Sequence, residues 1–249
     1  LSIYWVLTRY YFARKELAKY EYDIIHLNSS VMTDWLAPAK ERGKVVMHIR
    51  EPFRKGKIDP LYYFFRFQIT KYADKIIAIS DDNAKRISIP SKTVVIYDFC
   101  KILETDPSEK SYSSKKVLYL GGSSTSKGFF VLVKALDYLD EDVKVYFGGN
   151  YTKITIINSL KQLFKLFLSK EFLRKAALKK IINHKNAFLI GLVYNVEEYL
   201  DDMCCLVSPF SVPHFSFPVI ESQMRKKPVI VSNVQGMEEI VEHEKNGLI

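Results

Sequence analysis

The chain has 249 residues, 48% hydrophobic and 26% charged, which is room for one large globular domain or two ordinary ones. Its net charge of +9 suits an anionic partner, and nucleic acid, an anionic membrane surface and a phosphorylated substrate all fit. Three cysteines, Cys100, Cys204 and Cys205, are too few for a disulfide framework and favour a reducing cytoplasm, and no uncharged apolar run is long enough to span a bilayer.

The opening LSIYWVLTRYYFARK carries its charge after the apolar stretch, the reverse of a secretory signal. It starts without Met in a helix-like pattern, and the chain stops at EKNGLI, a turn leading into a strand, as expected of the interior of a longer protein. Short runs rich in Val and Ile follow: Asp23–Ser30, Lys44–Glu51, Lys75–Ser80 and Thr93–Phe99. Such continuous apolar runs suit parallel strands buried on both faces, with helix-sized segments such as Leu61–Tyr72 between them. Ser80, three residues before Asn83, reads as a helix N-cap. Lys101–Lys115 is polar and serine-rich and reads as a linker. Beyond it the alternation restarts, through KVLYLGG, GFFVLVKALDYL, VKVYFGG, a long basic segment, AFLIG, VEEYLDDM, CCLVSPF, VIESQMRK, PVIVSN and MEEIVEH. The expectation is an α/β protein of two doubly wound domains facing a cleft, both incomplete, over residues 1–105 and 106–249.

In open α/β sheets ligands bind beyond the carboxyl ends of the strands. Two segments stand out by that rule. In LYLGGSSTSKGFFVLVKAL a strand ends at Gly121 and Gly122, and Lys127 precedes a helix; backbone amides and the lysine charge make an anion site. The order is GxxxxKG, not that of a Walker loop, and the plainer reading is a tight turn with a solvated lysine. Gly148 and Gly149 end a second strand, a weak signal alone. In SPFSVPHFSFPVIESQM, Pro218 suits the first turn of a helix and Glu221 follows among apolar neighbours. A carboxylate there accepts hydrogen bonds from vicinal hydroxyls such as those of a ribose, or only complements the helix dipole.

These segments, with LIGLVYNVEEYLDDMCCLVSPF, PHFSFPVIESQMRKKPVIVSNVQGMEEIVEHEKNGLI and the earlier ADKIIAIS, resemble the glycosyltransferase family 4 enzymes, which are retaining, metal-independent transferases of the GT-B fold. The similarity is strongest from Val117 to Ile249. It implies a sugar moved from a nucleotide-diphosphate sugar, the co-substrate in place of a cofactor, to a glycan or lipid-linked acceptor. The family's diphosphate loop reads roughly GRxxxxKG: Lys127 matches its lysine, while its arginine position falls on Gly122, so half of that clamp is absent or replaced by loop amides. Of the family's E-x7-E pair, Glu221 matches the second, which holds the ribose; the first falls on Pro213, leaving the sugar contact to His214 or backbone amides. Phe215 and Ser216 fall in the sugar-contact loop, and Glu239 matches a recurrent glutamate near the donor. In VVMHIREPF, His48 matches a histidine that reaches the donor sugar from the acceptor side; Arg50, Glu51 and Asn28 are acceptor-side candidates, although a lone strand-end histidine is more often structural.

Asp140–Asp142 (DED) mimics a metal motif but precedes its strand, the wrong edge for a ligand, and Asp201 with Asp202 fails likewise, so no metal is expected. Nine Lys and Arg between Tyr151 and Lys185, among them Lys153, Lys161, Lys165, Lys170 and Arg174, read as the solvated face of a core helix or as a dock on an anionic membrane, with Phe53–Tyr72 as a second contact. A cytoplasmic protein, peripheral at the inner membrane face, is the expected setting. Three other readings stand beside the transferase: a nucleotide-sugar epimerase of the same plan, a non-catalytic relative, and a basic nucleic-acid-binding protein. The last lacks any recognition helix or single-strand-binding motif.

Overall fold

The computed structural model describes residues 2–54, 58–100, 109–151 and 170–249. The chain divides into two compact units, Leu1–Asp98 and Phe99–Ile249. Most of the linker expected at Lys101–Lys115 lies outside the described residues, as do Lys153, Lys161 and Lys165.

The first unit is a parallel sheet in the order β1-β2-β3-β4, with β1 at Ile24–Leu27, β2 at Lys44–Ile49, β3 at Lys75–Ala78 and β4 at Thr93–Val95. The strands are shorter than the apolar runs suggested, since each run includes the residues that turn away at its carboxyl end. Period-two alternation decides which side chains enter the core: Val45, Met47 and Ile49 are fully buried, and each contributes about 1.5–3 kcal/mol. They pack with Leu36, Ala39, Ile69, Ala73 and Ile76. The helix Pro60–Tyr72 starts where Asp59 accepts from the Leu61 amide (3.0 Å) with Pro60 in its first turn. Ser80 caps the helix Asp81–Ile87 through the Asn83 amide (3.1 Å).

The second unit is a six-stranded parallel sheet ordered β10-β9-β8-β5-β6-β7. Its strands are β5 Lys116–Tyr119, β6 Lys144–Gly148, β7 Ala187–Gly191, β8 Cys205–Ser208, β9 Val229–Val231 and β10 Gly247–Leu248. Both faces are covered: Tyr119, Phe147 and Val145 pack with Phe129, Leu132 and Ile181 on one side, while Leu118, Leu206 and Val229 pack with Leu200 and Val219 on the other. That double burial is why these strands read as unbroken apolar runs. The chain adds β6 and β7 to one side of β5 and then returns to add β8 on the other. The strand order therefore reverses at β5, and the crevice between the carboxyl ends of β5 and β8 is where a ligand site belongs. The segment MEEIVEH, placed in the alternation as a helix, forms successive turns, with Met237 donating to Val234 O and Val241 to Met237 O.

Lys227, before β9, is 1% exposed. Its ammonium donates to the carbonyls of Asp201 (3.1 Å) and Met203 (2.9 Å) and to the Ser111 hydroxyl, and it lies 4.9 Å from the Tyr112 ring centroid. A cation thus terminates the helix Val196–Asp202 and ties the chain just before β5 to the sheet.

Candidate active site at the reversal of strand order

The loop after β5 and the loop after β6 meet backbone to backbone. Gly122 donates to Gly148 O (3.0 Å), Ser123 to Asn150 O (3.3 Å), and Gly149 to Gly191 O (2.7 Å). A Cβ on Gly122 would sit 2.7 Å from Asn150 O, and one on Gly149 would sit 2.5 Å from Gly122 N; both residues have positive φ, 57° and 125°. The two glycine pairs therefore serve this close approach. The amides of Gly122 and Ser123 are consequently engaged and do not replace an arginine side chain at position 122.

The same loop is fastened to the one after β8. Ser211 donates from its amide to Ser126 O (2.9 Å) and from its hydroxyl to Thr125 O (3.1 Å). Gly128, at φ 77°, lies so close to Pro209 that a Cβ would fall 1.8 Å from the Pro209 carbonyl oxygen. Gly128 opens the helix Phe129–Ala135.

These loops enclose two recesses. One, of about 630 Å³, is lined by Gly121, Ser123, Ser124, Lys127, Gly149, Asn150, Arg174, Leu192, Val193, Val196 and Pro218, among others. The other, of about 40 Å³, brings Lys127 and Gly121 against His214, Ser216, Phe210 and Pro218. Lys127 borders both. The His214 ring stacks on Phe210 with centroids 4.0 Å apart, and its amide donates to Gln235 O (3.0 Å). Burial, reinforced by the Lys127 charge, pushes the imidazole down to about 4, so it is neutral at pH 7.

Glu221 lies in the second turn of the helix Phe217–Met224, not its first, so the helix dipole contributes little to it. It is half-buried, and its carboxyl is raised above the usual glutamate range by burial and then by Glu197. Its carboxylate has neither hydrogen-bond nor ion-pair partner among the described residues. Glu221 borders neither recess; Cys100 is near enough for the carboxylate to help raise its thiol, after burial. Phe215 is packed into the interior, and Ser216 is fully enclosed with its hydroxyl 3.4 Å from that of Ser208. These two are framework for the loop, and Ser216 alone reaches the smaller recess. Glu239 is half-buried in the turns after β9 and lines neither recess.

In the first unit the expected geometry of His48 does not hold. It is the penultimate residue of β2, not its end, and strand alternation lays its ring on the sheet face, stacked on His26 with centroids 5.3 Å apart. Both ring nitrogens are shielded without a hydrogen-bond partner among the described residues, and burial, then His26 and Arg50, lower its pKa. Arg50 follows the strand directly and donates to Asp98 Oδ2 (3.1 Å). Glu51 is held by Ser29 and Ser30: it accepts from the Ser29 hydroxyl, and from the Ser30 amide (3.1 Å) and hydroxyl (2.9 Å). Its carboxylate thus organises the turn after β1. Asn28, beside it, is exposed.

The acidic decoys are engaged in ion pairs: Asp142 with Lys115, Glu141 with Lys185 (2.7 Å), Asp201 with Arg225 and Asp202 with Lys116 (3.4 Å). Arg174 is the wall residue that sequence reasoning left unplaced, counted only within a basic run.

Two parallel α/β units, the second with its loops gathered where the strand order reverses, have the architecture of the two-domain α/β transferases called GT-B. Residues 103–249 match the family described as "Glycosyl transferases group 1", more than half of the chain, and the chain belongs to that family. Among solved structures it is similar to HepE of Anabaena, in complex with UDP and glucose, at 17% identity and a TM-score of 0.75, covering 100% of this chain and 70% of that one. TarM of S. aureus, in a complex with alpha-GlcNAc-glycerol and UDP among its ligands, is 16% identical with a TM-score of 0.72, over 95% of this chain and 48% of its own. Sucrose-phosphate synthase of Thermosynechococcus elongatus is 18% identical with a TM-score of 0.69, over 95% and 63%. The chain thus spans about half the length of TarM. At these identities the likeness establishes the fold. No curated protein sequence matched.

Proposed function

We propose that the chain carries the donor site of a retaining, metal-independent hexosyltransferase that moves a sugar from a nucleoside-diphosphate sugar to a glycan or lipid-linked acceptor. The observation that carries this reading is Glu221: a half-buried carboxylate beside another carboxylate, without a partner among the described residues, is an unfavourable arrangement that hydroxyl donors relieve. Vicinal ribose hydroxyls supply them. Lys127 holds the diphosphate and stabilises its charge as the nucleotide departs. His214, neutral and fixed by its ring stack, orients the sugar by hydrogen bonding where Pro213 offers no carboxylate. Arg50, which follows β2 directly, serves the acceptor side. The ion pairs at Asp140–Asp142 and Asp201–Asp202 support a site without metal. The transferase works in the cytoplasm, at the inner membrane face when its acceptor is lipid-linked. No helix among the described residues is long and apolar enough to cross a membrane.

Calorimetric titration with UDP, GDP and ADP, each with and without EDTA, tests the reading. One nucleotide should bind with an affinity that EDTA leaves unchanged. Conversion of the matching sugar nucleotide without any acceptor would indicate the epimerase instead, and failure of all three to bind would leave Lys127 and Glu221 as scaffold.

A further inference from the structure

A nucleoside diphosphate carries more negative charge than one ammonium offsets, and the loop offers little besides Lys127. Position 122 has no side chain, and the amides of Gly122 and Ser123 already donate to Gly148 and Asn150. Among the described residues that line the 630 Å³ recess, the cationic side chains are Lys127 and Arg174.

Arg174 reaches that wall from a different element, the helix Lys170–Asn183. The helix packs onto the core through Ala177, Leu178 and Ile181. Arg174 stands three and four residues before the first two, so it continues the same core-facing stripe toward the helix N-terminus. Helical side chains lean toward the N-terminus, which carries the guanidinium past the apolar core to the loop at Gly149 and Asn150. The Arg174 side chain is two-thirds buried, where a guanidinium favours a partner. Its Nε is shielded and has no hydrogen-bond partner among the described residues, and its ion pair with Glu171 is long, 3.5 Å. The guanidinium, with one terminal nitrogen toward Glu171, is thus held at a recess that already contains a lysine.

We propose that Arg174 is the second cationic ligand of the diphosphate, supplying from a helix the charge that this loop lacks at Gly122. The inference rests on the donor reading above. A guanidinium suits the role because its paired N–H groups engage two phosphate oxygens at once, which an ammonium does not.

The test compares the wild-type chain with Arg174→Gln and Arg174→Lys, titrated with UDP, GDP and ADP and with the corresponding unphosphorylated nucleosides, melting curves serving as the fold control. Arg174→Gln should bind the wild type's preferred diphosphate about tenfold to a hundredfold more weakly, with the nucleoside unchanged. Arg174→Lys should recover only part of the loss. If wild type binds a diphosphate and Arg174→Gln binds it equally well, the inference falls and the donor reading stands. Equal weakening of diphosphate and nucleoside would make Arg174 a structural residue, which also overturns the inference. If wild type binds none of the three, the donor reading and the inference fall together.

Discussion

Replacing Glu221 by Gln separates a binding carboxylate from a structural one. In the folded chain burial and the Glu197 charge both disfavour the ionised form, and neither hydrogen bond nor cation offsets them. A carboxyl whose folded pKa is raised adds stability below its unfolded pKa of about 4.5 and loses it as pH rises through the folded value. At pH 7 the ionised group therefore detracts from stability, and solvent screening keeps the effect small. Glu221→Gln should leave the urea midpoint unchanged or slightly higher. Nucleotide binding should move the other way: hydrogen bonds to a charged group are worth about 1.5–3 kcal/mol, and the amide keeps one acceptor of two, so affinity should drop about tenfold to a hundredfold. Calorimetry and urea unfolding on the same samples give both numbers. Wild-type affinity should also fall as the medium is acidified and Glu221 takes up its proton, and Glu197→Gln should shift that fall to lower pH. A variant that is destabilised yet binds normally would refute the reasoning, because Glu221 would then be held by contacts within the protein.

Three further outcomes follow from the same geometry. Gly128→Ala forces a left-handed backbone on alanine, about 1–2 kcal/mol, and drives a methyl into the Pro209 carbonyl, so a loss of at least about 2 kcal/mol in urea unfolding is expected, together with weaker nucleotide binding. The His214 ring should titrate near 4 by NMR; because the unfolded chain takes up that proton first, stability should fall as pH drops from 6.5 toward 4, while donor affinity shows no step from this residue near neutrality. Lys227→Met deprives two backbone carbonyls and the Ser111 hydroxyl of their donor and should destabilise the chain by about 2–4 kcal/mol, read from the shift in urea midpoint.

The second sheet was legible because its strands are buried on both faces, which leaves apolar runs that need no partner to be recognised; in the first sheet Val, Ile and Met at alternate positions gave the same signal. Strand ends were less legible: in VVMHIREPF, where pairing stops is decided by the neighbouring strand, and the difference is whether His48 or Arg50 stands at the sheet's edge. Lys127 and Glu221 could be singled out because their neighbours in sequence form the loop and helix that hold them. The close contact of the two glycine pairs could not be, since Gly122 and Gly149 meet only when β5 and β6 are paired. Arg174 was hidden for the same reason: its place on the recess wall is set by Ala177, Leu178 and Ile181 packing on strands distant in the chain, and in the sequence it is one charge in a basic run.

Glycines where loops touch leave the site with an uneven mutational landscape. At Gly122, Gly128 and Gly149 any side chain collides with main-chain atoms, and no neighbouring rotamer can yield to make room. Ser123, Ser124, Leu192 and Val193 project from the same fixed loops into the recess without being part of those contacts through their side chains. Substitutions at the latter positions can therefore reshape the recess, while the former tolerate none without moving the main chain.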